Sequence, residues 1–219
     1  GEEAIAQAML YLAPRYAFGS TIRYCRNFAR CIISAAAERK ADLLIMGWQG
    51  HRRGGFSLGS TVDPVLERAT CNIAVFKDCQ QHKYMNVLVP YAGGPNATFS
   101  LETASIMVDK DDGRVVVLHV APPGKPTQDI DAFLDETVPQ LNVSRSLFEP
   151  KYVIARDRFK ILLEEADQHD LVIIGATRDP VFRQRVMGSL PEELARHCKK
   201  PLIMVKAKHP IKSFIKRWL

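Results

Sequence analysis

Asp42-Leu43-Leu44-Ile45-Met46-Gly47 opens the stretch that decides the fold. A loop carrying Gly50, Gly54 and Gly55 follows, then Gly59-Ser60-Thr61, and the apolar run Asn72-Ile73-Ala74-Val75-Phe76 closes the stretch at Lys77. A short apolar run ending in glycine reads as a buried strand. A glycine-rich loop closed by Gly-Ser-Thr before a periodic segment reads as a strand-to-helix turn. Such a turn can hold a phosphate, because glycines let the backbone approach an anion while Ser60 and Thr61 place hydroxyls and free N–H groups at the positive end of the next helix. The same residues equally serve a tight connection that needs glycine only for its dihedrals. The spacing is neither a Walker loop, which needs Gly-Lys-Ser/Thr, nor a Gly-x-Gly-x-x-Gly turn.

The stretch returns near the C-terminus. Asp42 to Gly47 matches Asp170-Leu171-Val172-Ile173-Ile174-Gly175, Gly59-Ser60 matches Gly188-Ser189, and the run ending at Lys77 matches the run ending at Lys206. A repeat on this scale means two similar structural units. Working outward, the pattern predicts a helix over 2–13, a short strand from Tyr16 to Tyr24, and an alanine-rich helix from Asn27 to Arg39 with Phe28, Cys31, Ile32 and Ala36 inward. After the strand at 42–47 it predicts a helix from Val62 to Ala69 with Val62, Val65 and Leu66 inward, then the strand at 72–76. The polar residues 78–83 read as a linker.

The second unit reads as a strand at 85–90, a turn from Tyr91 to Asn96, a helix to Val108 and a strand from Val115 to Val120. A helix near 128–138, a strand from Ser144 to Phe148, a helix from Ala155 to Gln168 and a strand from Leu171 to Ile174 complete it. Strands alternating with helices imply right-handed crossovers and a parallel sheet covered on both faces. The expected division is residues 1–78, residues 84–207 and a tail over 208–219. The first unit is expected to lack its opening strand, helix and strand, which would lie upstream of Gly1.

Bulk properties restrict the function classes. Lys and Arg total 30 against 24 Asp and Glu, a net charge of +6. This mild excess suits phosphate or acidic lipid and equally plain solubility, and no nucleic-acid partner is read from it. Cys25, Cys31, Cys71, Cys79 and Cys198 form no CxxC pair or metal spacing, and the odd count argues against a disulfide framework and for a reducing cytosol. No apolar segment reaches membrane-spanning length.

Gly-x-x-Gly, a loop and Gly-Ser/Thr, with an Ala-Asp-Leu-Leu strand before and an apolar strand ending in Lys after, resembles the universal stress protein family over nearly the whole chain. The resemblance implies two tandem α/β domains, each an open parallel five-stranded sheet with helices on both faces, the first incomplete at its N-terminus. It also implies pairing of domains through their last strands and, in many members, ATP across the C-terminal strand ends, in line with the rule for open sheets. ATP is therefore a possible ligand of the first domain, through Gly47, Gly50, Gly59, Ser60 and Thr61. Gly175, Gly188 and Ser189 form a degenerate second copy, with Arg178 in place of the second loop glycine. ATP-binding members end the first strand in an Asp, whereas Val89-Pro90-Tyr91-Ala92-Gly93-Gly94 has Ala92 there.

The Val-Pro-x-Ala-Gly-Gly-Pro-Asn-Ala turn is similar to the version of this domain behind the membrane part of amino-acid permeases and cation–chloride cotransporters. That likeness implies a non-catalytic regulatory and dimerisation region on the cytoplasmic face of the membrane, with the transporter's membrane part and a second copy as partners. The alternative is an ATP-binding tandem universal stress protein.

Other residues yield less. His51, Arg52 and Arg53 in the first loop, and Arg178, Arg183 and Arg185 in the second, suit phosphate or a solvated loop tip alike. His119, within an apolar strand, reads as structural, and His169 and His197 lack further ligands at metal spacing, so no metal site is expected. No nucleophile, base and orienting acid come together. Ile211, Phe214, Ile215, Trp218 and Leu219 share one helical face and Lys212, Lys216 and Arg217 the rest, which suits a membrane surface or a helix docked on its own domain.

Overall fold

The computed structural model describes residues 3, 5, 6, 9, 10, 16, 17, 19–48, 58–78, 84–176 and 190–208. Asn27 caps α1 (Phe28–Glu38) by accepting the Arg30 N–H. There follow β1 (Leu43–Gly47), α2 (Val62–Arg68), β2 (Asn72–Lys77), β3 (Asn86–Pro90), α3 (Pro95–Met107) and β4 (Arg114–Ala121). The chain continues through α4 (Ile130–Thr137), β5 (Phe148–Ile154), α5 (Arg158–Asp167), β6 (Leu171–Gly175), α6 (Leu190–His197) and β7 (Leu202–Lys206).

One seven-stranded sheet runs in the order β1-β2-β7-β6-β3-β4-β5. The five strands of the second unit are parallel throughout, as are β1 and β2, and the units meet where β2 runs antiparallel to β7. Val75 lies opposite Met204, its own counterpart in the repeat, so a pseudo-twofold axis passes through that pair. The tandem α/β organisation is therefore as expected, and the last strands pair within a single chain.

Apolar side chains fill both faces. Leu58, Val62, Val65, Leu66, Leu162 and Leu194 build the core under α1, α2, α5 and α6, and Phe99, Leu101, Ala104, Ile130 and Leu134 build the other under α3 and α4. Val62, Val65 and Leu66 point inward as predicted.

Four local expectations change. Described residues between Tyr16 and Tyr24 form no strand: Tyr24 is 99% exposed, and among the described residues no strand lies alongside to take the segment's hydrogen bonds. The α1 inward face is set by Ala29 with Ile32 and Ile33, while Phe28 points to solvent. The strand expected over 144–148 lies at Phe148–Ile154, preceded by a single 3-10 turn, Arg145–Leu147. Cys25 and Cys31 are joined in a disulfide that ties the preceding segment to the first turn of α1, against the reading of the odd cysteine count as no disulfide framework in a reducing compartment.

Candidate functional site

The first loop is built around a carboxylate. Gly47 ends β1 in the open, with nothing within 4 Å of where a Cβ would stand. Gly50 lies outside the described residues, as do His51, Arg52 and Arg53. Gly59 has φ +124°, which demands glycine. Ser60 is exposed, and Thr61 precedes α2 without donating or accepting a side-chain cap. Asp63 holds the turn instead: its Oδ1 accepts the Leu58 N–H at 3.1 Å while its own N–H donates to Gly59 O at 3.2 Å. The positive end of α2, a helix of 7 residues, is thus already met by a fixed negative charge.

The second copy uses its glycine differently. Gly188, Ser189, Arg178, Arg183 and Arg185 lie outside the described residues. A Cβ on Gly175 would stand 2.7 Å from Asn96 Cβ, so glycine is required here by packing against the first turn of α3. Asn96 Nδ2 donates to Ala176 O at 2.6 Å and its Oδ1 accepts the Ala207 N–H at 2.8 Å. One amide therefore ties together the C-terminal ends of β6 and β7, beside the point where strand order reverses and where open sheets usually take ligands. Gly93 and Gly94, at φ +75° and +78°, make the turn that delivers it. Ala92 O accepts from Gln128 Nε2 at 3.4 Å, and α6 opens with Glu192 and Glu193.

The aromatic neighbourhood of the same strand ends is internally satisfied. His119 Nδ1 lies 3.0 Å from Tyr91 O, and the Tyr91 ring stacks on Phe133 with centroids 4.6 Å apart. Burial pushes the Tyr91 phenol above its ordinary range. His119 is structural, as the sequence suggested. Burial likewise raises the Cys71 and Cys198 thiols, which keeps them protonated and inert. Among the described residues no group of three His, Cys, Asp or Glu side chains could hold a metal.

Two lysines lock the units together. Lys77 Nζ, at the end of β2, donates to Ala195 O at 3.0 Å and Cys198 O at 2.6 Å, capping α6 of the other unit, with its ammonium 5.9 Å from the Trp48 ring centroid. Lys206, its counterpart in the repeat, donates to Leu66 O and, at 3.4 Å, to Glu67 O, capping α2. A cation at a helix C-terminus meets the negative end of the macrodipole as well as the orphan carbonyls. Sequence reading matched Lys77 with Lys206 but gave them no role. The sequence reading placed Asn96 only at the end of a turn and gave Asp63 no role, although Asp63 stands in the first turn of α2, two residues after Thr61, where a carboxylate can accept from the preceding loop.

The universal stress protein family model matches residues 4–77 and 83–206. A curated relative, the Na(+)/H(+) antiporter NhaS5 of Synechocystis, is 29% identical over 175 residues, covering 77% of this chain and 24% of that protein. The chain thus spans about a quarter of that relative's length. A universal stress protein from Archaeoglobus fulgidus superposes with a TM-score of 0.66 at 18% identity, over 97% of this chain and 77% of that one. A Pseudomonas aeruginosa protein described as functionally unknown gives a TM-score of 0.61 at 12% identity, over 94% and 77% respectively. About a quarter of each solved chain lies outside the match.

Proposed function

The chain belongs to the universal stress protein family, and from that premise we propose that it is the regulatory region of a membrane transporter, without catalytic chemistry of its own. The observation that carries this reading is the match over 77% of the chain to a quarter of an ion antiporter. Among the described residues no helix is long and apolar enough to cross a membrane, so the transporting segments would lie elsewhere in a longer polypeptide. The relative favours monovalent-cation exchange over the amino-acid permease or cation–chloride cotransporter class that the Val-Pro-x-Ala-Gly-Gly turn suggests. In this reading residues 1–78 and 84–207 are the two units, residues 208–219 a basic tail, and the whole faces the cytoplasm beside its membrane part.

Nucleotide has no part in the proposal. Asp63 occupies the anion end of the first loop and Asn96 ties the second, which supports a packing role for Gly47, Gly59, Ser60, Thr61 and Gly175. A homodimer remains part of the proposal, but β2 and β7 pair inside the chain, so the second copy would use another surface. Fractionation of native cells with an antibody to residues 84–176 tests the reading. The antigen should stay with alkaline-washed membranes on a polypeptide far longer than 219 residues. Recovery in the soluble fraction as a chain of about this size would contradict it.

A further inference from the structure

The Cys25–Cys31 disulfide joins cysteines only six positions apart. A cross-link between such close neighbours removes little freedom from the unfolded chain, so the bond is a weak staple beside one that joins distant elements. Its surroundings point to chemistry instead. Both cysteines are half-buried, whereas Cys71 and Cys198 are buried thiols. Cys31 stands in the first turn of α1, where its N–H donates to Asn27 O at 3.1 Å. A sulfur there meets the positive end of the helix, and residues 4–37 hold Arg15, Arg23, Arg26 and Arg30 with no Asp or Glu. These surroundings favour a thiolate at Cys31, which makes it the better leaving group when the bond is attacked.

The bond also holds a strap. The residues before Cys25 lie back along α1: Arg23 pairs with Glu38 at 2.5 and 3.2 Å, and Thr21 Oγ1 accepts from Arg39 at 2.6 Å. Both contacts are exposed, and exposed polar pairs of this kind contribute little. Among the described residues no strand pairs with residues 19–25, so the disulfide is what keeps the strap against α1, whose Ile32 and Ile33 pack on the core.

We infer that Cys25–Cys31 is a reversible redox clasp, opened by a dithiol to free residues 19–25 from α1 and shut again by oxidation. One thiolate of the dithiol attacks the Cys25 sulfur; the S–S bond breaks and its electron pair leaves with Cys31 as a thiolate. The second thiol, having lost its proton, attacks the mixed disulfide and releases Cys25 as a thiolate. Two electrons pass: the dithiol becomes a disulfide, and its two protons reach the cysteines through solvent. A disulfide of the same class reverses the exchange. Only the supply of dithiol rests on the cytoplasmic placement proposed above, since permanent disulfides belong to oxidising compartments.

The test uses native cells quenched in acid, with thiols alkylated before and after reduction and the peptides weighed. The fraction of Cys25 and Cys31 joined should differ at least about fivefold between cells treated with dithiothreitol and the same cells then washed and given diamide, while Cys71 and Cys198 stay thiols. On the native polypeptide, trypsin should cut after Arg23 at least about tenfold faster once the bond is reduced, and Cys25→Ser should be cut at that fast rate with or without dithiothreitol. A pair that stays thiol after diamide, a bond that resists dithiothreitol, or equal cutting in both states overturns the inference. Recovery of the polypeptide in the soluble fraction of the same cells overturns the transporter reading and leaves the clasp standing.

Discussion

Glu102 provides a quantitative test of the packing around α3. Its side chain is 2% exposed, and among the described residues its Oε2 has no hydrogen-bond partner. Burial alone pushes the carboxyl from an ordinary 4.5 up to about 7. In the unfolded chain it ionises near 4.5, in the folded chain only near 7, so the folded state binds the extra proton between those values. Stability therefore falls as pH rises through that window. Below it the group costs nothing beyond burying a neutral polar side chain, and above it the folded state carries the full penalty of a buried carboxylate. At about 1.4 kcal/mol per pH unit the penalty comes to about 3 kcal/mol. Glu102→Gln keeps the shape and a comparable neutral polarity, so its effect isolates the charge. Urea unfolding should show the variant more stable than wild type by about 3 kcal/mol at pH 8, and equal to it near pH 4.5. An equal effect at both pH values, or a less stable variant at pH 8, would refute the claim that Glu102 is buried without a compensating partner.

Other outcomes follow from the same geometry. Lys77→Met removes two charged hydrogen bonds from buried carbonyls and should lower the unfolding free energy by about 2–3 kcal/mol. Lys206→Met, at a more exposed position, should cost about 1–2 kcal/mol; the two lie at opposite ends of the β2–β7 ladder, so the double variant should be additive in urea melts. Asn96→Ala strands Ala176 O and the Ala207 N–H, and should cost about 2–4 kcal/mol with amide exchange at Ala207 sharply accelerated. Calorimetric titration with ATP and magnesium should show no binding tighter than about 1 mM; micromolar affinity would overturn the role given to Asp63.

The pieces of the fold legible in sequence were those fixed locally. Asp42–Gly47 and its echo at Asp170–Gly175 announced two α/β units, and the 3.6-residue spacing of Val62, Val65 and Leu66 named the inner face of α2. β5 was placed too early: it runs through Pro150, which an edge strand tolerates because it needs hydrogen bonds on one side only, and Pro150 sits opposite Val117 at the rim of the sheet. The Tyr16–Tyr24 alternation looked like a strand, but alternation describes a half-buried surface, and among the described residues no strand pairs with that segment. The site was harder to read. Gly175 looks the same whether it faces a phosphate or the Cβ of Asn96, and the deciding contacts, Asn96 to Ala207 and Lys77 to Cys198, join residues more than a hundred positions apart.

The regulatory claim is tested most directly by ion flux in vesicles containing the native polypeptide, with and without residues 1–219. Removal should leave transport intact while shifting its half-maximal cation concentration or pH set point by at least about fivefold, the scale of ordinary allosteric coupling. Identical flux curves for the two forms, or the absence of any transporting segment in the native polypeptide, would contradict the account.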